Sequence, residues 1–378
     1  MCPTSNNSDS KLMLVDIFER NPKLFIELIS EHYSLNYELI GRYSKILDWH
    51  YLSLNQKLDF TIDLIEHFQH KWHWNMLSLN RNIPNSIKLI DKFVLKWDWK
   101  KGMSYNKSWN SEIINLYNNK WDWSSLSSNN QLHWTSQFIH IFEEKWDWKK
   151  MSWNEKLPWN MDLFNKYENK WHFNELSSNQ YLPWTSTFID RFIDKWNWEK
   201  LSRNKGLPWS IEFLENYNNK WNWDLLSGNE SLPWSLNFFN KYIDKWDWEY
   251  LSYNRNLPWS IELIDLYKDR WDWNMLTYNE GLPWSIELIE LYEDKWSYYY
   301  FALNKKTTWT NSLIEKCLFD KKTHILEFVR NPSLPWSTSF ILKYCENLEP
   351  SELIWEQLSP FMTNELIEEV LEKMKNEK

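Results

Sequence analysis

Only 5 of the 378 residues are glycine. The sequence contains no glycine-rich phosphate loop, and neither GxSxG nor HExxH occurs in it. Cysteine is scarcer still. Cys2, Cys317 and Cys345 form an odd set without paired spacing, so there is no disulfide framework and no zinc-type cluster to read. A reducing, cytoplasmic setting is the expectation. No stretch approaches the roughly 18 consecutive apolar residues of a membrane helix. MCPTSNNSDSK also lacks the basic start and apolar run of a signal peptide. Cationic excess is missing too: the formal net charge is −9, whereas a general nucleic-acid binder needs a basic surface for phosphates. These absences predict a monomeric, non-enzymatic chain with no catalytic residues, no cofactor, no metal and no membrane contact.

What the chain has instead is tryptophan, 31 in all, beside 19 Tyr and 19 Phe. Disordered chains are poor in aromatics, so this one folds. The first Trp of each KW pair (RW once) falls at 72, 97, 121, 146, 171, 196, 221, 246, 271 and 296. Eight of the nine intervals are 25 residues and one is 24, where Gly102 adds a residue and the loop Asn106–Trp109 loses two. A fixed period in the 20–50 range marks a solenoid rather than separate domains. The array is expected over 36–309, preceded by a tail and cap at 1–35. Degenerate repeats and a charged capping helix, TNELIEEVLEKMKNEK, follow in 310–378.

Counting back from each KW Trp, an aromatic stands four residues earlier and apolar pairs seven and eight earlier, such as Tyr267 and Leu263–Ile264 before Trp271. Offsets of 0, 4, 7 and 8 share one face of a helix and alternate faces of a strand. The spacing predicts a three-turn amphipathic helix from about Ser260 to Trp271, repeated in each unit. Either Pro258 lies in its first turn or Ser260 caps it, with Trp259 against Ile264. A second, single-turn helix follows, capped by Asp272 and stopped by Asn279.

The fold class expected is therefore all-α: a right-handed α-solenoid of about 25-residue tandem repeats with a Trp-rich interlayer core. One such unit is too small to bury its own apolar face, and each packed Trp removes roughly 150–250 Å² from water. A leucine-rich horseshoe is the rival, because LSYNRNLP resembles its repeat phrase. The slot between Ser and Asn, however, holds Leu, Tyr, Ser, Trp, Arg or Gly, which does not fit a strand.

The Asn that ends the short helix recurs at 55, 80, 106, 129, 154, 179, 204, 229, 254, 279 and 304, and never as Gly. A left-handed, helix-terminating backbone suits Asn. Gly would serve that backbone equally well, so the side chain is expected to matter too. Asn154, Asn179, Asn204, Asn229, Asn254 and Asn279 are read as a structural ladder, each amide bonding backbone in its own or the next loop.

Three other patterns invite chemistry. His67, His70 and His73 step by three and so drift around a helix, and other units fill their slots with ordinary polar residues. Glu262, Asp265, Glu287 and Glu290 fall on the solvent face of their helices. The Lys before each KW Trp could track a polyanion, but acids flank most of these residues, and helix-dipole complementation with surface pairing explains them better. The variable loop positions remain: Trp153, Glu155, Lys156, Arg203, Lys205, Tyr253, Arg255, Tyr278 and Glu280. Stacked loops place them on one edge, where a repeat protein reads a protein or peptide partner. The alternative is a carbohydrate or single-stranded nucleic-acid binder with exposed Trp and Tyr as stacking platforms.

Overall fold

The computed structural model describes residues 22–105, 107–319, 328, 331–335, 340 and 363–376. Among them there is no strand, which removes the horseshoe. The chain divides into two compact units, Met1–Asp147 with Glu346–Lys378, and Trp148–Cys345. Each is a stack of helical repeats. None of the described helices is long and apolar enough to cross a membrane.

In a representative repeat, Ser260 caps helix Ile261–Leu266 by accepting from the Leu263 amide at 3.2 Å. The Ser, Thr and Asn residues at the same register cap the equivalent helices elsewhere, for example Thr61, Asn110 and Thr185. Leu263 and Ile264 are buried. The helix is shorter than its periodicity predicts. It ends at Tyr267, whose φ of −122° and ψ of 25° leave the helical region, and a hydrogen-bonded turn completes the stripe.

Trp271 supplies the reason. A continuing helix would give the Ile264 carbonyl to the Lys268 amide. Instead Trp271 Nε1 donates to that carbonyl at 3.1 Å, and the Lys268 amide turns to Asp265 O. The same seven-residue reach recurs at all ten KW tryptophans, from Trp72 to Trp296. The indole is therefore core and C-cap at once, which Phe could not be, since a helix end leaves orphan carbonyls that need donors.

The short helix Trp273–Tyr278 is capped by Asp272, whose carboxylate accepts from the Asn274 and Met275 amides. Its buried hydroxyl, Thr277 here and Ser in the repeats from Ser53 to Ser252, joins neighbouring repeats. Ser252 Oγ donates to Trp248 O within its own helix and accepts the Asp272 amide twenty residues on, at 2.9 Å. The bond from the next unit recurs at Ser53, Ser78, Ser152, Ser177, Ser202 and Ser227.

Ring-on-ring contacts fill the layer between repeats. Trp271 meets Trp248 of the preceding repeat at 4.7 Å and Trp259 of its own at 5.0 Å. Five residues of the Lys column lie at the edge of this layer. Lys71, Lys96, Lys170, Lys245 and Arg270 place their charge 4.1–5.3 Å from the second Trp ring of the preceding repeat. Cations over indole faces are stabilising there.

Within the 24-residue interval, the residue added at Gly102 is absorbed by a π-helical turn, Trp99–Met103. Gly102 is required in it, because a Cβ there would lie 2.3 Å from Ser78 Cβ. In the shortened loop that follows, Lys107 is buried, with its ammonium 3.4 Å from Asn80 O and 4.6 Å from the centre of the Trp109 ring. Burial lowers its pKa from 10.5 to about 7. Below about 7 the amine is charged in both states, and above 10.5 it is neutral in both. Between these limits the unfolded chain binds the extra proton, so stability rises with pH across that window. We expect Lys107→Met to melt above the wild-type chain at about pH 6, with the gap shrinking by about pH 10. A gap independent of pH would show that the amine does not titrate on unfolding.

Helix Pro22–His32 already carries a rung of the hydroxyl ladder, since Ser30 Oγ accepts the Asp48 amide at 3.0 Å. The C-terminal helix Asn364–Asn376 buries Leu366, Ile367, Val370 and Leu371 and belongs to the first unit. Tyr43 Oη donates to Glu372 at 2.7 Å, and Tyr33 Oη is hydrogen-bonded to Asn364. It thus lies against the beginning of the array, tied by these two hydrogen bonds, with its apolar stripe buried.

Candidate functional site

The loops that follow the short helices are held by the Asn column. Asn279 is representative: Nδ2 donates to Ser252 O at 2.9 Å and to Asn254 O at 3.0 Å, both in the preceding repeat. Oδ1 accepts the Gly281 amide at 2.7 Å. The Asn279 carbonyl in turn accepts from Trp284 Nε1 at 2.8 Å and from Asn304 Nδ2 at 3.4 Å. One residue thus ties its own loop, the loop before and the loop after. Asn80, Asn179, Asn204 and Asn229 make the same side-chain bonds to the preceding repeat and to their own loop, and Asn154 accepts the Lys156 amide. Asn106 lies outside the described residues.

The left-handed backbone expected for this Asn is not found. Asn204, Asn254 and Asn279 have φ between −71° and −73° and ψ between 112° and 118°, a conformation open to any residue. The side chain alone explains why Asn stands there. Asn331 is a further rung that the 25-residue count missed, donating to Ala302 O and Asn304 O at 2.8 and 2.9 Å. Its signal was the N-x-x-L-P-W spacing, which survives although the period does not.

Around this frame the variable residues separate into two columns. Those just after the Asn pair with each other across repeats: Lys205 with Glu230 at 2.5 Å, and Arg255 with Glu280 at 3.1 Å. Glu155 is half-buried and Lys156 exposed. Those just before the Asn face outward. Trp153 is 53% exposed and Tyr253 40%. Tyr253 and Tyr278 stack with centroids 5.8 Å apart and planes 6° from parallel. Arg203 is exposed and lies over the Tyr250 ring, with Nη2 donating to Tyr250 Oη at 3.4 Å. Among the described residues nothing joins Trp153, Glu155 or Lys156 to this group.

Sequence reasoning missed Tyr250, Gly228 and Glu230. Tyr250 lies on the short helix outside the repeated motif. Gly228 was visible as the one glycine in its slot. Where neighbouring repeats carry Arg203 and Tyr253, it leaves an open cleft of about 390 Å³ floored by Leu225 and Asn229.

The histidines do not converge. His67 packs on Tyr37 at 5.7 Å and His73 on His50 at 5.3 Å, and among the described residues no group of three or more His, Cys, Asp or Glu could hold a metal ion. Compared with known proteins, the chain matches no family model, no curated protein and no solved structure.

Proposed function

We propose that the protein is a non-enzymatic interaction scaffold that binds a protein or peptide partner along its loop edge. The observation that carries this reading is the division of labour between columns. Ser and Asn positions repeat because each bonds a neighbour's backbone, and the KW Trp positions because each caps its own helix while packing on the preceding repeat. The position before the Asn changes from Trp153 to Arg203 to Tyr253 and Tyr278 while its backbone stays fixed. Exposed aromatic and Arg side chains on a rigid frame are what protein interfaces use as anchors.

The stacking-platform alternative needs a row of open indoles. Among the described residues Trp153 is the one exposed Trp, and the others are buried or half-buried in the layer between repeats. That favours the first reading.

The test is a random dodecapeptide display selection on the whole chain. Enriched peptides should bind the wild-type chain and not a variant with Trp153→Ser, Tyr253→Ser and Tyr278→Ser. Absence of enriched binders, or binders indifferent to those substitutions, would remove the reading. Retention of a thymidine oligonucleotide instead would move it to the alternative.

A further inference from the structure

We infer that the cleft at Gly228 takes a carboxylate side chain of an acidic partner segment. This rests on the loop-edge reading and names the chemistry of one of its anchor points.

The cleft arises from one absent side chain. Gly228 follows helix Trp223–Ser227 with ordinary φ and ψ of −86° and −4°, so its backbone does not demand glycine. A Cβ there would meet Tyr250 Cδ1 at 3.3 Å, a contact that a slight ring movement relieves. The same slot holds Trp153, Arg203, Tyr253, Tyr278 and Leu303 in other repeats. Glycine at 228 therefore removes bulk that the frame accepts elsewhere, and the space left lies between Arg203 and Tyr253.

The lining selects an anion. Three cations, Arg203, Lys205 and Arg255, face one carboxylate, Glu230, on a chain whose formal net charge is −9. Lys205 is paired with Glu230. The two guanidiniums keep donor capacity for a further anion. Arg203 is exposed, and its Nη2 makes a long hydrogen bond to the Tyr250 hydroxyl at 3.4 Å. Arg255 meets Glu280 through Nη1, while its Nε is buried without an acceptor. A buried donor without an acceptor is costly, and a guanidinium meets a carboxylate with paired, charge-assisted bonds. The Tyr250 and Tyr253 rings offer apolar faces to the stem carrying that carboxylate.

A single negative charge fits better than a chain of phosphates. Along the column after the Asn, acidic Glu155, Glu230 and Glu280 alternate with basic Lys205 and Arg255, so no continuous basic track runs along the edge.

The probes are labelled dodecapeptides alternating serine with glutamate, with glutamine or with lysine, measured by fluorescence anisotropy on the whole chain. The glutamate peptide should bind about tenfold or more tightly than the others, the factor expected for a charge-assisted bond. Arg203→Gln removes the charge and keeps the shape. Gly228→Leu keeps the charge and fills the cleft. Each should lose about tenfold or more for the glutamate peptide, while Lys268→Gln, outside the cleft, should not. If Gly228→Leu fails to fold, Arg203→Gln still decides. Equal binding of the three peptides, indifference to both cleft variants, or preferential competition by inorganic phosphate overturns the inference. None of those results touches the loop-edge reading, which fails only if display selection yields no edge-dependent binder.

Discussion

Trp246→Ala should destabilise its unit by about 3–5 kcal/mol, the range for removing a large aromatic from a packed core. Trp246 is buried and lies 5.0 Å from Trp234, 5.3 Å from Trp223 and 5.6 Å from Phe238, so its loss opens the layer between repeats. It also removes the donor at 2.9 Å from the Phe239 carbonyl. Trp246→Phe separates the two contributions. It keeps much of the ring and removes one of two donors, leaving the Phe239 carbonyl with the Tyr242 amide at 3.3 Å, at a cost of about 0.5–1.5 kcal/mol. Each repeat is held by its neighbours, so hydrogen exchange should accelerate around 223–260 before it does so elsewhere. Denaturant melts that match the wild-type curve for both variants would show that the indole is not part of the core.

Asn254→Ala and Asn254→Gly should both be damaging, and Gly should give no relief. The backbone of Asn254 is not left-handed, so glycine has no conformational advantage there. Either substitution strands the Ser227 carbonyl, which receives Nδ2 at 2.8 Å, and the Asn256 amide, which reaches Oδ1 at 3.0 Å. With each stranded buried group costing about 1–3 kcal/mol, the loss should be several times that of an ordinary surface change. Asn254→Asp keeps the acceptor for Asn256 but loses the donor and brings a charge against carbonyl oxygens, so it should be worse than Ala. A neutral Asn254→Gly in chemical denaturation would end the ladder account.

Much of this architecture is legible in the sequence because one constraint repeats. The offsets before each KW Trp fix a helix, and the Asn recurring without Gly points to its side chain. The helix length was misjudged because periodicity locates a face and not a hydrogen bond. Trp271 continues the stripe past Tyr267 while its indole takes the carbonyl that would have continued the helix. The Ser column was in plain view two residues before the Asn, but a hydroxyl signals no partner until the next repeat's amide is placed on it. The loop edge was the least legible part. Lys205 and Arg255 look available in sequence and are paired with Glu230 and Glu280, whereas the cleft is made by a residue with no side chain.

The central claim is that the Asn side chains, rather than backbone pairing, hold the loops that carry the variable edge. Native-state hydrogen exchange tests it at the amides of Lys156, Tyr181, Gly206, Ser231, Asn256 and Gly281. These lie outside the helices, and each donates to the Oδ1 of the Asn two residues before it, at 2.7–3.0 Å. The account predicts protection of these loop amides comparable to that of the short helices beside them, lost locally at Asn256 in the Asn254→Ala chain. Exchange of all six at the rate of open loops would contradict it.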